Sequence, residues 1–341
     1  MRKTRFGLIG CGTVACYGHI PALLSIPDLV ELVAVADVNE ERLAELREKY
    51  GIDSTYADYR ELLGREDIDA VGVAIPLDQH YPVVMDAASA GKHVFCEKPI
   101  AETVEKGEEM VEAMAAAGKL FAINFESRHS DPHPEMKKLL DEGAIGDLRV
   151  LRFVGNWQGG RWAGEDRYRM LITIGLGPIV DCGIHYFDLA RWYAGSEFAE
   201  ISARGIHIED YPNPDHVMAT CRMSNGALVL IETGWAYTHT TPVHESVAHI
   251  DLIGTDGIIG YTCWQTGIEG AETRNELNVY ARDRCYRQEI RSSAKAFDRM
   301  YALFAESLRQ GRLIDLPSGE DGVHALKAAL DALRQARCKS D

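Results

Sequence analysis

Long hydrophobic runs are missing from this chain. Nowhere do about 18 apolar residues follow one another, so no transmembrane helix is expected. The basic N-terminus, Met1-Arg2-Lys3-Thr4-Arg5, leads into Phe6–Gly10, too short for a signal-peptide core. Positive charge is scarce as well: 36 Lys and Arg face 52 Asp and Glu, a net charge of −16. Nucleic-acid surfaces are usually basic, so no nucleic-acid partner is expected, though a local basic pocket for a small anion is compatible with the total. The eight cysteines form no Cys-x-x-Cys pair and have no regular spacing. Cys96, Cys221 and Cys263 lie in apolar segments, which reads as buried thiols of a reduced, cytoplasmic protein rather than a disulfide framework. Repeats and low-complexity linkers are also lacking.

What is present is an ordinary globular composition, 46% hydrophobic and 26% charged, over 341 residues, which is enough for two domains. Arg5–Gly10 is a short apolar run of the kind buried on both faces of a parallel sheet. It enters Gly10-Cys11-Gly12-Thr13-Val14-Ala15, a G-x-G-x-x-A turn that opens a helix. Glu31–Asp37 is a second strand and ends in an acid 22 residues beyond Ala15. In that setting Gly10 allows a tight turn, Gly12 lets backbone N–H groups approach a pyrophosphate, and Ala15 lets helix and strand pack closely. The helix start at Thr13 and Val14 favours the anion. Asp37 would accept hydrogen bonds from an adenosine ribose and repel a 2′-phosphate, so NAD is expected over NADP. A second reading makes Asp37 a helix N-cap before Glu40.

The alternation continues through strands at Asp69–Ile75, His93–Cys96 and Leu120–Asn124, with helices over 39–50, 80–90 and 103–117. This is the pattern of an α/β doubly wound parallel sheet, whose ligands bind at the carboxyl ends of the strands. Pro76, His80, Glu97 and Lys98 fall at such ends. Lys98 stands out, because an ammonium closing an apolar strand is costly to bury unless paired. Pro99 stops the sheet ladder after it.

Beyond Asn124 the rhythm changes, which divides the chain into 1–124 and 125–341. Strands over 148–156, 199–208, 216–223, 227–235 and 248–253 predict a mostly antiparallel sheet, with Asn225-Gly226 as a hairpin turn. Helices are expected over 134–140, 183–193, 294–309 and 320–337, the last free to pack back on the first domain. An open face of this sheet would mark an oligomer interface, so a homodimer or homotetramer is expected. The irregular loop 157–169 holds Trp157, Arg161, Trp162, Arg167, Tyr168 and Arg169. Aromatic faces suit a sugar ring and arginines suit an anionic group, but a subunit contact would use the same residues. His239, His244 and His249 recur every five residues, without the ligand spacing of a metal site, so no metal is expected. Asp181 and His185 are four apart, so one helical turn would put them on one face, where the carboxylate can orient the imidazole as a proton acceptor.

Taken together, Gly10/Gly12/Ala15, Gly91-Lys92-His93-Val94 leading into Glu97-Lys98-Pro99, Glu142-Gly143-Ala144-Ile145-Gly146, and Asp181-x-Gly183-x-His185-x-x-Asp188 resemble the glucose–fructose oxidoreductase / inositol dehydrogenase / rhizopine-catabolism (Gfo/Idh/MocA) family of NAD(P)-dependent oxidoreductases. The resemblance covers nearly the whole chain. It implies a Rossmann domain followed by an α+β domain with an open-faced, mostly antiparallel sheet. It implies oxidation of a secondary hydroxyl of a sugar, cyclitol or sugar derivative, or the reverse. It carries Lys98, Asp181 and His185 as catalytic and substrate-binding residues, and a cis peptide at Lys98–Pro99. Two departures stand out. The family's Thr-Pro-Asn reads Ile75-Pro76-Leu77, which removes an asparagine near the cofactor, and its three glycines read Gly175-Leu176-Gly177-Pro178.

On this reading Lys98 stabilises alkoxide character while His185, oriented by Asp181, takes the hydroxyl proton. Lys98 itself as the base is the alternative within that mechanism. Two other functions share the fold: a glycoside-cleaving enzyme that recycles its NAD, and a non-catalytic NAD-sensing regulator.

Overall fold

The computed structural model describes residues 2–159, 161, 164–271, 273–291 and 295–337. They fall into two compact units, residues 1–126 with 295–324 and residues 127–294 with 325–341. Among the described residues no single helix is long and apolar enough to cross a membrane.

The first unit holds six strands: β1 (Thr4–Ile9), β2 (Val30–Ala36), β3 (Thr55–Tyr56), β4 (Ala70–Val73), β5 (His93–Cys96) and β6 (Phe121–Ile123). They lie in the order β3-β2-β1-β4-β5-β6, every neighbour parallel. β4 is buried throughout, as a strand covered by helices on both faces must be. The helix after β1 carries a π-helical segment at Ala15–His19 before Ile20–Ser25.

The sequence reading divides the chain at residue 124 and leaves only the last helix, 320–337, free to pack back on the first domain. The structure instead groups 295–324 with the first, and the cause is apolar burial. Helix Phe297–Gln310 presents Phe297, Met300, Tyr301, Phe304 and Ala305 to the core formed by Phe6, Leu23, Val30 and Phe95. Tyr301 packs edge-on to Phe6 at 5.2 Å and lies 4.8 Å from Phe95, contacts worth about 0.5–1.5 kcal/mol each beyond the area they bury. Ile123 N–H then donates to Pro317 O, and Ala122 bridges Ser318. The last helix, Gly319–Ala336, is divided between the units at residue 324.

The second unit holds eight strands: β7 (Leu148–Asn156), β8 (Phe198–Ile206), β9 (His216–Met223), β10 (Leu228–Gly234), β11 (Glu245–Gly254), β12 (Gly257–Thr266), β13 (Arg274–Ala281) and β14 (Cys285–Glu289). Their order is β14-β13-β12-β11-β7-β10-β9-β8. Only β7 and β10 pair in parallel; the other neighbours are antiparallel. Asn225-Gly226 makes the β9–β10 hairpin, Gly226 taking φ +90°. One row across the sheet runs Ile231, Phe153, Ile250, Tyr261, Leu277, all buried, with Tyr186 of helix Gly183–Ala194 stacked on Phe153. On the opposite face Leu228, Val150, Ile253, Ile258 and Tyr280 line up across five strands, and Leu228, Ile258 and Tyr280 are exposed.

Strands β12 to β14 and a helix at Glu165–Thr173 were not expected. The helix replaces the C-terminal part of the predicted irregular loop. It forms because Tyr168, Leu171 and Ile172, at i, i+3 and i+4, reach one buried cluster with Trp235.

Candidate active site

In the first unit the candidate residues converge on the carboxyl ends of β1, β4 and β5. Gly10 takes φ +95°, and a Cβ there would lie 2.2 Å from Ala74 O, so only glycine fits between β1 and the end of β4. At Gly12 a Cβ would meet nothing within 4 Å, which leaves open space in front of the turn. Thr13 is exposed and Val14 half-buried at the helix start, and Ala15 is buried against the sheet. Asp37 Oδ2 accepts from Cys11 N–H at 2.7 Å and Oδ1 from Asn39 N–H at 2.8 Å. Asp37 thus braces the glycine turn. The helix cap is Asn39, whose side chain accepts from Arg42 N–H, so the N-cap reading of Asp37 is set aside. An open cradle beside Gly12, a helix start and a fixed carboxylate fit the pyrophosphate and ribose of NAD. Burial, then the charge of Asp37, push the Cys11 thiol up to about 12, so no thiolate competes with that anion.

The Glu97–Pro99 segment is held from both sides. Glu97 is 8% exposed. Its Oε1 accepts from Asn124 Nδ2 at 2.6 Å and lies 2.9 Å from His19 Nε2, and its Oε2 accepts from the Lys98 N–H at 3.2 Å. Burial alone would raise the carboxyl; the His19 hydrogen bond and the charges of His19 and Lys98 outweigh it and hold Glu97 below its ordinary value. His19 Nδ1 in turn meets the Tyr301 hydroxyl at 2.7 Å. The Lys98–Pro99 bond is cis, as the resemblance implied, and Asp131–Pro132 is cis too. His80 is buried beneath this turn, with Nδ1 2.9 Å from Pro99 O and Nε2 3.1 Å from Ile75 O. Burial holds His80 below the ordinary histidine value, against the pull of the two carbonyl oxygens that its ring nitrogens face. Both its ring nitrogens are committed to backbone. Pro76 opens a short 3₁₀ turn, Leu77–Gln79, that leads into the helix bearing His80. Between buried Glu97 and buried Pro99, Lys98 is partly exposed.

In the second unit Asp181 closes helix Pro178–Asp181 and His185 lies in the first turn of helix Gly183–Ala194. The pair therefore spans a helix junction rather than one continuous turn. Both are partly exposed. Asp181 Oδ2 accepts from Cys182 Sγ at 3.5 Å, and His185 Nδ1 lies 3.4 Å from Ser127 Oγ. One turn on, Asp188 is fully buried and takes a two-pronged grip from Arg128, at 2.8 and 2.5 Å. The departure at Gly175–Pro178 has a backbone signature: Leu176 sits at φ +62°, where glycine rests without penalty.

The loop residues separate by role. Arg161 stacks 3.4 Å over the Tyr168 ring, donates to Trp235 O at 2.7 Å and pairs with Glu209 at 2.7 Å. It holds the loop rather than reaching outward. Trp157 packs edge-on to Trp235, and Arg169 is exposed beside the Tyr211 ring. Trp162 lies outside the described residues. His239 pairs with Glu209, His244 meets Thr238 O, and His249 bridges Thr262 and Asp251. Among the described residues no group of three His, Cys, Asp or Glu side chains is placed to hold a metal ion.

Sequence reasoning missed His19, Asn124, Arg128 and Tyr301. A lone histidine in a helix, an asparagine after a strand and a tyrosine on an amphipathic helix carry no local mark of the carboxylate they serve. Asp188 stood in the quoted motif, but nothing in the sequence named its partner.

Comparison with known proteins agrees with this architecture. Residues 4–125 match the model of an oxidoreductase family with an NAD-binding Rossmann fold, and residues 133–260 match the GFO/IDH/MocA C-terminal domain. The chain is 32% identical to myo-inositol 2-dehydrogenase of Thermotoga maritima over 67% of each chain. It is 30% identical to inositol 2-dehydrogenase of Burkholderia cenocepacia over 95% of this chain and 91% of that one. An Agrobacterium radiobacter oxidoreductase, solved with NAD+, L-tartaric acid and magnesium, shares the fold with a TM-score of 0.83 at 21% identity, covering 98% of this chain and 96% of that one. The glycine turn, the Glu97-Lys98-Pro99 segment and the two matched domains make this chain a member of the GFO/IDH/MocA oxidoreductases, with an NAD-binding Rossmann unit at its N-terminal end.

Proposed function

We propose that the chain is an NAD-dependent dehydrogenase that moves a hydride between the secondary hydroxyl carbon of a cyclitol, sugar or sugar derivative and the nicotinamide. NAD, when bound, supplies the hydride acceptor. Asp37 and the Gly10–Ala15 turn hold its adenosine ribose and pyrophosphate. Lys98 hydrogen-bonds the substrate oxygen and stabilises its developing negative charge. His185 takes the hydroxyl proton and Asp181 orients the ring. Trp157 and Arg169 are the proposed loop contacts to substrate. The observation that carries this reading is Lys98 itself, a partly exposed amine on a segment whose neighbours on both sides are buried and tied down. The substrate class follows the relatives, which are named for inositol.

Seven described cysteines are free thiols, which supports a reducing, cytoplasmic setting. The apolar row Leu228–Tyr280 on the second sheet supports a homo-oligomer.

The test is a panel of cyclitols, hexoses and glucosides followed at the nicotinamide absorbance band with NAD and with NADP. Net NADH formation with NAD preferred is expected. Glycoside cleavage without net NADH would move the assignment to the recycling reaction, and tight NAD binding with no turnover would move it to a sensor. Lys98→Ala should lower kcat by roughly 10³-fold or more while NAD still binds. Wild-type turnover in that variant would remove Lys98 from the mechanism.

A further inference from the structure

The carboxylate before Lys98 is buried, and three elements distant in sequence supply its partners. His19 comes from the π-helical segment after the glycine turn, Asn124 from the end of β6, and Tyr301 from helix Phe297–Gln310. His19 and Asn124 meet Oε1 of Glu97 directly, and Tyr301 reaches it through the other nitrogen of His19. A carboxylate only accepts, so His19 Nε2 carries the proton that faces it.

The backbone is shaped around this chain of contacts. Gly72 sits in β4, where a Cβ would lie 2.8 Å from the Tyr301 hydroxyl. Gly18 sits within the π-helical segment, where a Cβ would lie 2.8 Å from the ring of Phe297. Phe297 packs edge-on to His19 at 4.9 Å. Two glycines thus keep the room that the imidazole, the hydroxyl and the ring beside them need.

A buried, paired charge is weak evidence for stability, because well-packed apolar side chains often serve a core as well or better. A buried acid is better explained by the geometry it fixes. Its second oxygen receives the backbone N–H of Lys98, and His80 holds the carbonyl of Pro99 two residues on. The amine of Lys98 therefore leaves a backbone whose two flanks are set by buried hydrogen bonds.

We propose that His19, Asn124 and Tyr301 are positioning residues for Lys98, acting through the carboxylate of Glu97. The proposal rests on the assignment of Lys98 to the reacting oxygen. It extends the machinery from the Glu97-Lys98-Pro99 segment to residues that no motif marks. One of them, His19, belongs to the helix that begins at the glycine turn, so the same helix serves the pyrophosphate at its start and the lysine one turn later.

The test uses the full-length enzyme, NAD and whichever of myo-inositol, scyllo-inositol, levoglucosan, D-glucose and a D-glucoside is turned over fastest. Glu97→Gln and His19→Ala should each lower kcat about 10- to 100-fold, the range expected when a reacting group is misplaced by about an ångström. The NAD dissociation constant, read by fluorescence titration, should stay within about threefold. Tyr301→Phe, which keeps the ring against Phe95, should lose severalfold. His19→Gln, which keeps a donor toward Glu97, should recover most of the loss. In a Lys98→Arg background, where the donors are already displaced, Glu97→Gln should cost much less than in the wild type.

Wild-type kcat in Glu97→Gln and His19→Ala, with Lys98→Ala inactive, would overturn the proposal and leave the assignment of Lys98 standing. Losses that multiply in the Lys98→Arg background would also overturn it, because Glu97 would then act apart from the lysine. A loss of NAD affinity matching the loss of kcat would reassign the network to cofactor binding. Activity retained in Lys98→Ala, or no turnover of any panel member by the wild type, would instead remove the reading on which the proposal rests. Should Glu97→Gln fail to fold, Tyr301→Phe and the His19→Gln rescue carry the same comparison.

Discussion

Lys98 and His185 are presented in opposite ways. The lysine stands on a turn whose flanks are buried and hydrogen-bonded to three separate elements of the first unit, with a fourth behind them through His19. The histidine stands just past the break between helices Pro178–Asp181 and Gly183–Ala194 of the second unit, and the Arg128–Asp188 grip one turn away helps to secure its helix. The first solution distributes the constraint over many neutral and charged partners. The second adds one buried ion pair to the apolar packing of a helix. A distributed network loses function in steps as members are removed, whereas a single buried pair fails at once.

The sharpest way to break that contrast is Arg128→Ala. It removes both guanidinium hydrogen bonds from buried Asp188, and removing one partner of a buried pair costs about 3–5 kcal/mol. A fall in Tm of roughly 10 °C is expected by differential scanning calorimetry, larger than for any single member of the Glu97 network. A fall of only a degree or two would mean that the helix bearing His185 is secured elsewhere.

A second prediction tests the first unit by pH. His93 accepts from Leu120 N–H through Nδ1. Burial, then the nearby Lys119 charge, push its pKa from 6.5 down to about 4. Between those values the unfolded chain takes up a proton that the folded chain refuses, so stability falls as pH drops from 6.5 towards 4. The loss is at most about 3 kcal/mol, because the ring is partly exposed. Urea midpoints at pH 7.5 and pH 4.5 should show it, and His93→Asn, which keeps an acceptor but does not titrate, should flatten the difference. An unchanged slope in His93→Asn would assign the acid sensitivity to other groups.

The smallest effect belongs to Leu176, ahead of helix Pro178–Asp181. Leu176→Gly relieves the φ +62° conformation and should raise stability by about 0.5–1 kcal/mol, because the relief exceeds the entropy that glycine adds to the unfolded chain. A decrease in the urea midpoint would show that the leucine side chain contributes more by packing than its backbone loses.

Legibility in the sequence follows the same division. The parallel sheet was readable because short apolar strands alternate with capped helices, and the glycine turn has a fixed spacing. The hairpin at Asn225-Gly226 was readable from its turn chemistry. β14 was not, because Cys285-Tyr286-Arg287-Gln288-Glu289 is an exposed edge strand with no apolar face to betray it. β13 does carry an alternating pattern, with Leu277, Val279 and Ala281 buried. In the site, motif residues were legible and their supports were not. Glu97 could be named from the chain, but the side chains that meet its Oε1 come from 78 residues before and 27 residues after it, distances no periodicity spans.

The return of residues 295–324 to the first unit has a consequence for synthesis. The hydrogen bond between His19 and Tyr301 joins residues 282 apart. While residues 127–294 are being translated, which takes on the order of ten seconds, a nascent chain already holds β1 to β6 but lacks the helix that covers Phe6 and Phe95. The nucleotide-binding half is therefore born first and finished last. Its aromatic face is a surface for chaperones during that interval, and a fragment cut at residue 126 would expose it permanently.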